Sequence, residues 1–397
     1  MAWTTPKTWA ADELLTASDL NQYLSDNLSA LYALTQGGGR KNLLHNGAMQ
    51  VHQRQPLVGT PDPGTYGTGI TAPGGLPITV DRWVTSIDSL GTWTQSVEAD
   101  APTGSGFRSA LKMLVTASDA SPAAGDYVNI QQRIEGQNLQ TVLKGTTSAQ
   151  QLTLSFWTKS NKTGTYVVEL VDQDNTRHVA ATYTVVASAT WEEQSITFPA
   201  DLTGAFDNDA NRSLDVRFWL AAGTTYTSGT LAATWASVTN ANSAAGQTNV
   251  AASNSNYWMV TGVQLEVGSA ATGFEFKDYS TELAECQRYY FRNVGGETFG
   301  MGQCTGTTSA LIRVPFPVTM RGGTVVLSTT GTAADYILYN NTGSGVASNA
   351  VPALIHPTLN LNGGFLSCST ASGLAAGNGT GLVGANGTVY LGFSADL

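Results

Sequence analysis

Residues 258–276 read WMVTGVQLEVGSAATGFEF, and the first half of that stretch decides the fold. Met259, Val260, Val263, Leu265 and Val267 alternate with Gly262, Gln264, Glu266 and Gly268, the period-two pattern of a strand buried on one face. Such a strand needs a hydrogen-bonded neighbour. The best match lies far upstream at 42–51, NLLHNGAMQV. Everything between the two reads as short strands and turns, so the expected architecture is a large β-sandwich closed by its first and last strands.

Working outward, alternating runs predict strands at 79–87, 91–97, 110–116, 127–134, 151–159, 166–172, 178–186, 193–198, 213–221 and 257–267. Connections of Greek-key length make this central unit, 40–280, a jelly-roll β-sandwich. Residues 56–77 are a Gly/Pro/Thr-rich surface loop, too broken for a ladder. Residues 223–255 form a long uncharged insertion around Trp235, expected to be a subunit contact or an outward-facing recognition loop. Helical spacing over 278–292 places Leu283, Cys286 and Tyr290 on one side and leads into a second unit, 281–397. There alternation returns, and Asn378-Gly379 and Asn386-Gly387 are tight-turn signals, so a C-terminal β-sandwich is expected. The chain is mainly β.

Its first unit, 1–39, differs. Thr16-Ala17-Ser18-Asp19 fits a capping box, and Leu20, Leu24, Leu28, Leu31 and Leu34 then make one apolar stripe along an α-helix. Gly37-Gly38-Gly39 ends it. A lone helix with one greasy face is marginal in water, so the stripe needs a partner. Its own β domain and two sister copies in a homotrimer are both open, and the glycine joint favours the trimer.

Composition removes several function classes. The chain has 397 residues and a net charge of −10, which opposes sequence-independent nucleic-acid binding and attraction to anionic membranes. No run approaches the ~18 apolar residues of a membrane span, so no membrane insertion is expected. Only 12% of residues are charged, against ~25% in ordinary globular proteins, so the surface is polar but rich in hydroxyls and amides. Three widely spaced cysteines, Cys286, Cys304 and Cys368, fit reduced thiols better than a disulfide framework or zinc site.

Chemistry-bearing patterns are sparse. Asp207, Asp209 and Asn211 have D-x-D-x-N spacing, but Arg212 stands where a calcium loop has its turn glycine and Phe218 where it has its bidentate Glu. A polar turn is the first reading and a structural calcium the second; no other cofactor is implied. No carboxylate pair, His cluster or nucleophile motif stands out, so no catalytic residue is assigned. Most tryptophans must fill a core this large. Trp235, in the polar insertion, and Trp93 are the candidates for a flat sugar-binding face.

Several motifs carry a family likeness: Asn42-Leu43-Leu44-His45-Asn46-Gly47, Gln53-Arg54, Asp81-Arg82-Trp83, Ser155-Phe156-Trp157-Thr158-Lys159, Val263-Gln264-Leu265-Glu266-Val267-Gly268 and Cys286-Gln287-Arg288-Tyr289-Tyr290. In these, and in the lead at 5–31, TPKTWAADELLTASDLNQYLSDNLSAL, the chain resembles tailed-phage virion proteins, chiefly tail-fibre and minor tail proteins with a jelly-roll module like those of carbohydrate-binding domains. That resemblance implies a non-enzymatic virion protein, assembled in the host cytoplasm and joined through its N-terminal helix to tail, baseplate or head proteins. It also implies adsorption to a host surface glycan or envelope protein. A head fibre, collar or decoration protein and a glycan depolymerase are the rival readings.

Overall fold

The computed structural model describes residues 14, 16–19, 41–54, 65–70, 79–339, 343–355 and 361–397. In chain order the central strands are β1 (Thr65–Ile70), β2 (Val84–Asp88), β3 (Thr92–Glu98), β4 (Ala110–Ala117), β5 (Tyr127–Glu135), β6 (Leu152–Ser160), β7 (Gly164–Asp172), β8 (Arg177–Val185), β9 (Glu192–Phe198), β10 (Arg212–Ala222), β11 (Ala236–Ser237) and β12 (Tyr257–Val267). β7 pairs with β8, β6 with β9, β5 with β10 and β4 with β12, all antiparallel. These nested pairs fall alternately in two sheets, a first of order β1-β3-β4-β12-β6-β9 and a second of order β11-β8-β7-β10-β5-β2; β1 lies inside 56–77, expected as a loop, and pairs with β3 as an irregular edge strand. One long hairpin folded over on itself produces that nesting, which is jelly-roll topology.

Alternation sets what fills the sandwich. Leu152, Leu154 and Phe156 of β6 and Val216, Phe218 and Leu220 of β10 point between the sheets and are buried. Phe218 is the hub, with ring centroids 5.0 Å from Phe156, 5.5 Å from Trp258 and 6.1 Å from Trp83. Full burial of one such ring is worth roughly 1.5–3 kcal/mol over leaving it in water.

The expected partner of β12 needs correction. β4 accompanies β12 only from Tyr257 to Val260, after which a bulge at Gly262, φ +62°, turns the strand away. The 42–51 segment fills the vacated edge, but as consecutive turns and bends. Leu43 N–H donates to Leu265 O at 2.8 Å and Val263 N–H to Gly47 O at 2.9 Å. The Asn42 side chain works as an extra peptide group there, donating to Val263 O at 3.0 Å and accepting from Leu265 N–H at 3.1 Å. Asn46 does the same one turn on, bridging Val51 O and Asp81 O. Side-chain amides thus replace the ladder that period-two reading expected.

Beyond the helix Tyr279–Gln287 come β13 (Tyr290–Val294), β14 (Thr298–Cys304), β15 (Ser309–Pro315), β16 (Val326–Thr329), β17 (Tyr336–Tyr339), β18 (Gly345–Ala347), β19 (Ala353–Ile355), β20 (Gly363–Ser369), β21 (Gly379–Gly384) and β22 (Tyr390–Ser394). They form a three-stranded sheet, β13-β22-β16, and a seven-stranded one, β18-β17-β21-β14-β15-β20-β19. A second core holds them, with Phe299, Tyr336, Leu382 and Phe393 fully buried. The helix is shorter than its spacing suggested: Tyr290 already belongs to a strand.

The two units meet through charge. Glu135 at the end of β5 accepts from Arg288 at 2.8 and 3.0 Å and from the Tyr289 hydroxyl. Arg82 lies 3.4 Å over the Tyr289 ring, Arg54 lies 3.7 Å over Tyr290 and pairs with Asp81 and Asp396, and Arg321 donates to Ala210 O at 3.0 Å. Burial pushes the Asp81 carboxyl up despite Arg54, while Arg133, buried among Arg212, Arg217 and Arg82, is brought down to about 10.

At the N-terminus, Thr16 Oγ1 accepts from the Asp19 amide at 3.1 Å and the Asp19 carboxylate accepts from the Thr16 amide at 3.1 Å, closing a capping box on the helical turn Ala17–Asp19. Leu20, Leu24, Leu28, Leu31 and Leu34 lie outside the described residues.

Candidate functional site

On β10 the residues between the core positions, Asp215, Arg217 and Trp219, point out from the second sheet. The register sets Trp219 against Asn129, Arg217 against Gln131 on β5, and Arg217 against Glu169 on β7. On β2, Ser86 stands beside Asn129. One sheet face therefore presents an indole, a guanidinium, two amides, two carboxylates and a hydroxyl.

The insertion folds back onto this face. Ala244, Tyr226 and Leu231 pack on Trp219, Val167 and Ala180, giving the outer face a small apolar cluster of its own. Tyr226 sits 5.3 Å from both Trp219 and Tyr127, and Tyr127 sits 6.2 Å from Trp219, all as ring centroids. The indole is buried, whereas Tyr127 and Tyr226 are half-buried.

Beneath the rings the polar groups are held in place. Trp219 Nε1–H donates to Glu169 Oε2 at 3.1 Å, and the other Glu169 oxygen is 2.8 Å from His178 Nδ1. Thr239 N–H donates to His178 Nε2 at 3.4 Å, so the network assigns the proton to Nδ1. Burial would raise the Asp215 carboxyl, but Arg212 and Arg217 hold it below its ordinary value. Burial would lower Arg217, but Asp215 and Glu169 hold it above. Asn129 Oδ1 and Arg217 Nε have no hydrogen-bond partner among the described residues. Burial, with Tyr127 and Asp88 close by, raises the Tyr226 phenol. Flat ring faces beside a fixed guanidinium, a hydroxyl and a carboxylate suit a ligand that is apolar on one side and hydroxylated at its rim.

The residues singled out by sequence lie elsewhere. Trp93 is fully buried and donates to Leu90 O at 2.7 Å, so its ring has no free face; it is a core residue. Trp235 is half-buried against the main core, donates to Pro199 O at 2.8 Å and carries the Lys144 ammonium 5.3 Å above its ring. It packs the insertion down onto the main core. Asp209 is consumed by Asn211, whose backbone amide it accepts at 2.8 Å, and Asp207 N–H donates to Asp174 at 2.9 Å, the pattern of a self-capped turn. Among the described residues the cluster of three His, Cys, Asp or Glu ligand atoms is His45, Glu282 and Glu285. Its groups are already engaged, since Glu285 takes His45 Nδ1 and Lys277 at 2.8 Å each and Glu282 accepts the Asn46 amide. All three cysteines are buried free thiols.

Sequence reasoning missed Tyr127, Tyr226 and Arg217. Reading most tryptophans as core also passes over Trp219, which is buried on the outer face of its sheet. The parity of Phe218 and Trp219 was the available signal: neighbours on a strand point to opposite faces, and Phe218 is the core hub.

No protein-family model matches the chain, and no curated protein does. Among solved structures, 57% of the chain aligns with 21% of the enzymatically active domain of bacteriophage CBA120 tailspike protein 4, at 13% identity and TM-score 0.31. The chain thus spans about a fifth of that domain's length. It also aligns over 57% of its length with 99% of the carbohydrate-binding module TmCBM61, solved with β-1,4-galactotriose, at 10% identity and TM-score 0.28. A cyclase from Fischerella sp. aligns over 59% of this chain and 98% of its own, at 14% identity and TM-score 0.31. TM-scores this low carry no weight for function.

Proposed function

We propose that this chain is a non-enzymatic adhesion protein of a tailed-phage particle, a tail fibre or minor tail protein that holds a host-surface glycan on the outer face of its second sheet. One observation carries the reading: two half-exposed phenol rings stand over a buried indole beside Arg217. A pyranose can lay its C–H face on the rings while its hydroxyls reach Arg217, Ser86 and Asp88. The low surface charge fits a neutral, hydroxyl-rich partner. Glu169, the carboxylate under the rings, is occupied by His178 and Trp219 and so is poorly placed for acid–base work on a glycosidic bond. The leucine stripe of the first unit would join three copies and fix them to a tail, baseplate or head protein. Three weak sites on one particle gain roughly 10²–10⁴ in avidity.

The test is an array of bacterial surface polysaccharides probed with the full chain and with Tyr226→Ala. Saturable binding that weakens about tenfold in the variant, with an unchanged melting curve and no released oligosaccharide, is expected. Binding indifferent to Tyr226 sinks the site, and released oligosaccharide sinks the non-enzymatic role. Mass in solution tests the trimer; a monomer at high concentration overturns it. A purely structural role in the particle has one observation in its favour, the insertion that already covers much of this face. Absence of binding across the array would establish that role instead.

A further inference from the structure

The opposite sheet carries a second group of aromatics with a different surrounding. Ser155 and Trp157 of β6 point outward, and Trp157 stands against Glu193 on β9 and Thr261 on β12. Just past Thr261 the bulge at Gly262 interrupts the ladder. The Phe107 ring lies directly on that glycine: a Cβ there would come within 2.5 Å of Phe107 Cζ. Phe107 packs on Phe274 at 4.9 Å and on Phe276 at 5.2 Å, and those two rings are 4.9 Å apart. Gly106, φ +86°, would bring a Cβ to 3.1 Å from Phe276. Two glycines in left-handed conformation therefore seat the rings, a backbone arrangement other residues rarely take.

These rings wall a cleft of about 220 Å³. Phe276 remains 53% exposed, so its ring is not simply closing the end of the sandwich. Three polar groups on the cleft's lining have no hydrogen-bond or ion-pair partner among the described residues: the Trp157 indole N–H, the Ser155 hydroxyl and the Glu193 carboxylate. Glu193 is exposed and Trp157 half-buried, so both can be reached from solvent. Ring walls, one N–H donor, one hydroxyl and one bidentate acceptor match a single sugar ring, with its apolar face and vicinal hydroxyls. The cleft is smaller than the ~300–1,000 Å³ of drug-sized sites, which limits the occupant to about one ring. An unpaired carboxylate in a chain of net charge −10 disfavours uronic, sialic or phosphorylated sugars.

We infer that this cleft is a second saccharide subsite, taking one neutral pyranose unit independently of the face on the other sheet. Saturation-transfer NMR on the full chain tests it with methyl β-glucopyranoside, methyl β-galactopyranoside, methyl α-mannopyranoside, N-acetylglucosamine and, as the acidic control, glucuronic acid. Transfer from aromatic protons to at least one neutral sugar and none to glucuronic acid is expected. Phe276→Ala should weaken that binding about tenfold, the size of losing one aromatic contact with its buried area, and Glu193→Gln should weaken it by a smaller factor. Tyr226→Ala should leave it intact, which separates this subsite from the proposed glycan face. Both cleft variants alter exposed side chains, and matching melting curves confirm that they fold. The inference is overturned if no neutral sugar receives transfer, if Phe276→Ala and Glu193→Gln both bind like the parent, or if Tyr226→Ala abolishes the signal.

Discussion

The joint between the two sandwiches and the outer face of the second sheet are built from the same kinds of residue, arginine, carboxylate and tyrosine, yet only the joint is written in recognisable motifs. Arg54, Arg82, Arg288 and Tyr289 come from the short motifs at 53–54, 81–83 and 286–290, and they meet Glu135, Asp81 and Asp396 where little water reaches. On the sheet face, Arg217 is still one-fifth exposed, and Tyr127 and Tyr226 come from segments with no motif. Buried charges must be matched in place and number, because an unmatched one costs several kcal/mol. A binding face tolerates any ring or hydroxyl that lies at the right height.

Removing a joint carboxylate should therefore produce the largest effect on stability. Glu135→Ala strands the Arg288 guanidinium and the Tyr289 hydroxyl and should cost about 3–5 kcal/mol in a denaturant titration while leaving glycan retention on the folded protein intact. Glu135→Gln, which keeps the volume, should lose less. If Glu135→Ala instead unfolds at the parent midpoint, the joint is not what holds the two sandwiches in register. A smaller loss, about 2 kcal/mol, is expected for Trp235→Ala, below the 3–5 kcal/mol of a fully buried ring because this one is half-buried. Its binding should be unchanged. Weakened retention with an unaltered melting curve would restore Trp235 as a ligand residue and dissolve the contrast between packing and binding positions.

Acid should act on both sides of the comparison, because Asp215 on the sheet face and Glu285 on the helix beside the joint are both held below their ordinary values. Burial alone would raise Glu285, but His45 and Lys277 together bring it to about 2, against an ordinary 4.5. A depressed carboxyl contributes stability that is fully present above the unfolded value and is lost as pH falls through the folded one. The contribution of Glu285 should thus fade between pH 4.5 and 2, and Glu285→Gln should flatten the fall in stability over that window. Glu135 behaves in the same direction, since Arg288 and Tyr289 outweigh its burial. A variant whose acid titration overlays the parent's would show that the ion pair is screened and idle.

Much of the jelly roll was legible because alternation is a local property. The runs expected at 127–134, 151–159 and 213–221 match β5, β6 and β10 to within a residue or so at each end, and that at 257–267 coincides with β12. Legibility ended wherever side chains replaced backbone or the chain came back on itself. Asn42 and Asn46 carry hydrogen bonds a ladder would normally make, so an apolar run looked like a strand. Trp219 sits in a strand buried on both faces, and only the returning insertion, with Tyr226, makes the outer face dry. No pattern within β10 announces that. The two candidate sugar sites depend on residues brought together from several strands and loops, and their spacing in sequence is arbitrary.

The smallest expected effect is none at all: a chelator should leave the melting temperature of the parent protein within about 1 °C, well inside the several degrees that 1 kcal/mol of lost stability would produce. Near the turn at 207–211, the Lys144 ammonium pairs with Asp172 at 2.5 Å and Asp201 at 3.1 Å and donates to the carbonyls of Thr203 and Gly204 at 2.8 and 2.7 Å. Two carboxylates and two carbonyls are the oxygen set a hard cation seeks. Here a tethered ammonium, 1% exposed, already occupies it, and Phe206 and Trp235 roof it at 5.2 and 5.3 Å. Lys144→Ala would empty the cage and take from Asp172 its cation, while Asp201 keeps Arg177 at 2.8 and 3.0 Å, so added calcium should raise the melting temperature of that variant and not of the parent. A parent protein that gains stability from calcium, or loses it to a chelator, would show that an ion binds somewhere the ammonium does not reach.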